Sequence, residues 1–166
     1  MQSRGRRETQ IVAAADEPQI TILHELDAPV GRVWRALTTA DLMKQWWGPR
    51  EMVNESCAID LRTDGAWHVT QRAPDGRRYE FGGTYLDIDA PTYLAYTFQM
   101  DGEYDDRPAL ESVDLAEMNG WTRLTNTVRF ISMDDRDRML EYGMERGARE
   151  SMERDRRKVQ GGQWLW

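Results

Sequence analysis

The side chains in this sequence that could make or break bonds are few: two histidines, one cysteine and a scatter of carboxylates. His24 and His68 each lie inside a stretch of strand-like alternation, and neither has further ligands at a spacing that would build a zinc site. His68 could act as a general base only from an interior face. Its neighbours Trp67 and Val69 take the apolar phase, so its ring is expected to point outward. Cys57 has no adjacent histidine or lysine to hold a thiolate and reads as a small hydrophobe rather than a nucleophile. The pairs Asp60/Asp64, Asp87/Asp89 and Asp105/Asp106 could share a proton or hold calcium, but they fall at strand ends and in turns, where solvated carboxylates belong. Gly82-Gly83 and the stretch GMERG lack the glycine spacing of a dinucleotide or phosphate loop. No catalytic residue, metal or cofactor is assigned on these grounds.

The remaining signal is aromatic and apolar. Such side chains form either a solid core, which suits Trp34 and Phe98, or the wall of a cavity in which tyrosine hydroxyls orient a ligand's polar end and methionines adapt to its shape. The candidate cavity-lining positions are Trp46, Trp67, Val69, Gln71, Phe81, Tyr85, Tyr96, Phe98, Val113, Asn126, Met139, Gly143, Met144 and Gly147. A catalytic version of the same cavity would need a polar residue inside it, and Gln71, Asn126 and Glu111 are the candidates.

Composition narrows the function classes. With 29 acidic against 22 basic residues, and the basic ones scattered, the chain would repel a phosphate backbone, so nucleic acid is not an expected partner. A single cysteine allows no intrachain disulfide and fits a reducing, cytoplasmic setting. No apolar run approaches the roughly 18 residues of a membrane span, and the basic start is followed by too short an apolar stretch for a signal peptide.

The elements that must position these residues follow from periodicity. Residues 1–17 read as a mobile leader, and QITILHEL as the first strand, with Ile20, Ile22 and His24 on one face. Val30, Val33, Trp34 and Leu37 make one helical stripe behind Pro29, and Leu42, Met43, Trp46 and Trp47 share a face of a second short helix that Thr39 could cap and Gly48-Pro49 ends. Turn signals at Asp64-Gly65, Pro74-Asp75-Gly76, Ala90-Pro91, Asp101-Gly102 and Asn119-Gly120 then divide Val-, Thr- and aromatic-rich stretches into a meander of hairpins. Ser132 and Asp135 stand at capping-box spacing before one long helix. Its stripe runs Leu140, Met144, Gly147, Ala148, Ser151, Met152, and its glycines signal either close packing or room for a ligand. The expected fold class is α+β: a curved antiparallel sheet wrapped around a long C-terminal helix, spanning residues 18–155. An irregular tail, 156–166, ends in the apolar Trp164-Leu165-Trp166.

LDAPVGRVWRALTTADLMKQWWGP, DLRTDGAWHV, PDGRRYEFGGTYLDIDAP, the Asn-Gly hairpin before TRLT, and MLEYGMERGARESMERD occur in the order of a known family. Across about residues 18 to 154 the chain resembles the bacterial family named after the activator of heat-shock-protein ATPase. That family belongs to the START-like, birch-pollen-allergen-like superfamily. The resemblance implies a helix-grip fold with a hydrophobic pocket between sheet and helix, but no single activity, since the superfamily includes binders of lipids, steroids and polyketides as well as cyclases and hydrolases.

The expected function is non-catalytic binding of a small hydrophobic or aromatic molecule, lipid- or polyketide-like, with a homodimer possible. A cyclase or hydrolase is the first alternative. A chaperone-regulating domain is the second, disfavoured because the chaperone activators that name the family carry an additional N-terminal domain that residues 1–17 are too short to supply.

Overall fold

A computed structural model describes residues 9–101 and 107–160. Eight strands form one curved antiparallel sheet: β1 Gln10–Ala13, β2 Gln19–Leu26, β3 Val53–Ile59, β4 Ala66–Arg72, β5 Arg78–Asp89, β6 Tyr93–Met100, β7 Ala109–Met118 and β8 Trp121–Arg129. Their spatial order is β1-β2-β8-β7-β6-β5-β4-β3, so the meander from β3 to β8 is unbroken and β2 closes onto its last strand. Helices α1 (Val30–Thr38) and α2 (Ala40–Met43) lie between β2 and β3, and α3 (Met133–Glu141) and α4 (Met144–Gln160) follow β8.

Strict alternation explains the sheet. In β2 every second residue from Ile20 to Leu26 is buried, and the same phase in β8 buries Thr122, Leu124, Asn126 and Val128. The inward residues form two apolar clusters. The larger joins Leu26, Val33, Trp34, Trp46, Trp67, Val69, Tyr85, Leu124 and Met152. The smaller joins Ile20, Ile22, Ala109, Val128 and Phe130, with Met139, Leu140, Met144 and Ala148 packed on it, and Phe98 touches both.

Three sequence expectations change. Residues 10–13 are not a free leader but an edge strand paired with β2, Gln10 opposite Leu23 and Ala13 opposite Ile20. Arginines from the C-terminal helices fasten this segment: Arg149 donates to the carbonyl of Thr9, and Arg136 to those of Ala14 and Glu17. The single long C-terminal helix is two helices. Gly143 has φ +86°, in the left-handed region that stops an α-helix, and its N–H bonds back to Leu140 O at 3.0 Å. Finally, α4 runs past Met152 to Gln160 although its apolar stripe ends there. Ion pairs one turn apart, Glu145–Arg149, Arg146–Glu150 and Glu153–Arg157, support the helix where packing does not. The Ser132 cap forms as expected, its hydroxyl accepting from Asp135 N at 3.1 Å. The acidic pair Asp105/Asp106, Gly102 of the Asp101-Gly102 turn, and Trp164-Leu165-Trp166 lie outside the described residues.

The two helix glycines thus differ, and so should their substitutions. An added Cβ at Gly147 would meet only Pro49, at 3.5 Å, inside a helix where alanine is favoured by up to about 1 kcal/mol. Gly147→Ala should raise the melting temperature. Gly143→Ala, forced to keep a positive φ, should cost about 1–2 kcal/mol and lower it by a few degrees. Thermal unfolding followed by circular dichroism reads both signs.

Candidate functional site

An inward cavity of about 60 Å³ lies between the two short helices and the middle of the sheet. Leu37 of α1, Met43 of α2, and Trp46 and Trp47 just beyond α2 form one wall; Trp67, Tyr85, Leu94, Tyr96, Phe98, Glu111 and Val113 of β4 to β7 form the other. The rings contact one another edge-on: Trp67 with Trp47 at 6.2 Å and with Tyr96 at 5.7 Å, and Tyr85 with Tyr96 at 6.1 Å.

Hydrogen bonds from two directions hold the tryptophan segment in place. From the sheet, Asn54 Nδ2 donates to the carbonyls of Lys44 (2.9 Å) and Trp47 (2.8 Å), and Gln71 Nε2 donates to Asn54 Oδ1 (2.8 Å). From α4, Ser151 Oγ accepts from Gly48 N at 2.7 Å, while Arg154 donates to the carbonyls of Gln45, Gly48 and Pro49. The indole N–H of Trp46 donates to Ala36 O at 3.0 Å, and that of Trp67 crosses β5 to reach Thr97 O on β6 at 3.1 Å. Trp67 is paired with Gly83 across β4 and β5, and a Cβ at Gly83 would lie 1.8 Å from that same Thr97 oxygen. The absence of a side chain at 83 is therefore a condition of the indole's position.

Glu111 supplies the cavity's one carboxyl. Its Oε2 accepts from Tyr96 Oη (2.7 Å) and Asn126 Nδ2 (3.2 Å). Burial pushes this carboxyl above the usual carboxylate range, and the two hydrogen bonds pull the other way without cancelling it. Burial and the neighbouring carboxyl together hold the Tyr96 phenol well above its ordinary value, and burial raises that of Tyr85.

Of the expected cavity residues, the structure brings Trp46, Trp67, Tyr85, Tyr96, Phe98 and Val113 together. Gln71 is not among them, being consumed in bracing the tryptophan segment. Asn126 stands behind Glu111, bonded to it and to Ser112 O. Val69 is solid core, and Phe81 packs against Trp47 and Phe98 on the far side. Met139 and Met144 pack on the second cluster, Gly143 sits exposed at the helix break, and Gly147 faces Pro49. Leu37, Met43, Trp47 and Leu94 complete the wall; the first three already stood on the apolar stripes of the two short helices. Glu111 had been a candidate only for the catalytic alternative, though its place in the inward phase of β7 with Ala109, Val113 and Leu115 marks it.

Elsewhere the chemistry is sparse. His68 is outward and pairs with Glu80 at 2.8 Å. Burial raises the Cys57 thiol to about 11, leaving no thiolate. The described residues contain no His, Cys, Asp or Glu group able to hold a metal, and no described helix is long and apolar enough to cross a membrane. His24 is buried: Nδ1 lies 2.9 Å from Thr9 Oγ1 and 3.4 Å from an Arg156 nitrogen, and Nε2 has no partner.

A curved sheet that grips a C-terminal helix and leaves an aromatic hollow under two short helices is a helix-grip fold. The chain belongs to the activator of Hsp90 ATPase homolog 1-like family, whose sequence model matches residues 27–154. No curated protein matches it. Among solved structures it is similar to a protein from Arthrobacter aurescens (TM-score 0.83, 24% identity, covering 92% of this chain and 91% of that one). It is similar also to Ms6760 from Mycobacterium smegmatis (0.81, 23%, 89% and 94%) and to the AHSA1 protein of Silicibacter pomeroyi (0.69, 18%, 85% and 96%). At these identities the likeness shows the fold.

His24 gives a pH prediction. Burial, reinforced by Arg156, lowers its pKa from 6.5 to about 3, so the folded protein keeps it neutral where the unfolded chain takes a proton. Stability is complete above about pH 6.5 and falls as pH drops below it, at up to about 1.4 kcal/mol per pH unit. Urea unfolding of the native protein and of His24→Gln between pH 7.5 and 5 should show this slope as the difference between the two, since the raised Glu111 carboxyl contributes to both with the opposite sign. Carboxylates held low by arginine, such as Asp135, act only at more acidic pH.

Proposed function

We propose that this protein binds a compact small molecule with an apolar or aromatic body in the cavity beneath Trp46 and Trp47. The observation that carries this reading is the wall itself, six aromatic side chains around unfilled space with one carboxyl among them. A cavity of about 60 Å³ suits a group of a few heavy atoms. An acyl chain or multi-ring polyketide would require the tryptophan segment to withdraw, against the hydrogen bonds that brace it. With so little apolar surface to bury, dissociation constants on the order of micromolar to millimolar follow.

A second reading, catalysis of the cyclase or hydrolase kind, has one observation in its favour: Glu111, a carboxyl with a raised pKa, lines the same cavity as two phenols. Under it, Glu111→Gln would abolish turnover of an ester or enone substrate while leaving binding intact.

Binding is tested by titrating indole- and phenol-sized molecules against intrinsic tryptophan fluorescence, with amide chemical shifts locating the change. Saturable quenching is expected, with shifts at Trp46, Trp67 and Val113. Leu94→Phe, which fills the cavity, should weaken binding at least about tenfold with circular dichroism unchanged. Quenching that survives Leu94→Phe with shifts elsewhere would move the site off this cavity.

A further inference from the structure

The polar inventory of the cavity selects among ligand charges. Of the residues that line it, Glu111 supplies the one carboxyl, and no lysine, arginine or histidine is present to meet an anion. Both protein donors to Glu111, Tyr96 Oη and Asn126 Nδ2, converge on Oε2. Among the described residues Oε1 accepts no protein hydrogen bond, yet it is not a sealed orphan, since the only fully buried side-chain polar atom without a partner among them is Nε2 of His24. Glu111 itself is one of the residues that line the cavity. The indole N–H groups of Trp46 and Trp67 are spent on the carbonyls of Ala36 and Thr97, so these rings offer the cavity no donor. The donors left over are the Tyr85 hydroxyl and the Trp47 indole N–H. A carboxyl set among six aromatic side chains, with no basic residue in the same lining, disfavours a carboxylate or phosphate ligand and favours positive charge.

Resting on the binding function proposed above, we infer that the ligand is an organic cation, a small alkyl- or aryl-substituted ammonium, whose charged head meets Oε1 of Glu111 and whose substituents lie against Trp46, Trp67 and Tyr96. The cation offsets the desolvation that works against an isolated carboxylate there, and the ring quadrupoles add to the attraction. The bracing of the tryptophan segment then keeps the ring faces in place before the ligand arrives, which limits the ordering entropy of binding.

Three probes of one shape separate the possibilities: choline, the neutral alcohol in which a carbon replaces its nitrogen, and the tert-butyl carboxylate pivalate. Each is titrated by tryptophan fluorescence and amide shifts at neutral pH. The inference expects choline to bind at least about tenfold more tightly than its neutral isostere, and pivalate not at all. Glu111→Gln, which keeps the side chain's shape, should bring choline down to the level of the isostere. Equal binding of choline and the isostere to the native protein would overturn the cation assignment while leaving an apolar-ligand cavity intact. Tighter binding of pivalate would overturn it as well. Silence from all three probes and from neutral aromatics would remove the binding function itself. Should Glu111→Gln fail to fold, the ratio for the native protein still decides.

Discussion

The arrangement hinges on how seven residues without regular structure, from Lys44 to Arg50, are held between sheet and helix. A segment that turns away from a one-turn helix leaves several carbonyls facing inward, and buried carbonyls must find donors. Asn54 and Gln71 supply them from β3 and β4, and Arg154 from α4. Each of these polar side chains would be costly to bury alone; together they fix the backbone that carries Trp46 and Trp47, and hence one wall of the cavity. Interior polarity in this protein mainly constructs the apolar site rather than forming part of it.

This explains why sequence reading resolved the fold further than the site. Strand phase is a local property, so the inward faces of β2 and β4 were legible from alternation, and the rest of the meander from the turns that divide it. Phase also brings a polar residue to the inner face without saying what it will meet there. Gln71, Asn126 and Glu111 are equivalent by that test, yet one braces a loop, one supports a neighbour, and one reaches the cavity. The difference depends on where residues 44–50 turn, which no periodicity encodes.

The missed elements have similar causes. Strand β1 has four residues and little alternation; it exists because β2 offers a free edge and two distant arginines hold the carbonyls flanking it. The helix break was hidden because the apolar period continues across it, Leu140 and Met144 packing on the same cluster from two separate helices. The last turns of α4 were hidden for the opposite reason: past Met152 the apolar stripe gives way to charged residues, and the pair Glu153–Arg157 supports the helix along its own surface.

Trp67 reaches Thr97 by passing over a position where β5 has no side chain. The indole floor of the hollow is thus set by a vacancy one strand away, at Gly83, which does not itself border the hollow. Relatives that differ there would have to tilt or lift that floor, so the depth available to a guest can drift between family members whose lining residues are identical. Comparing linings alone would then misjudge which guests each could admit.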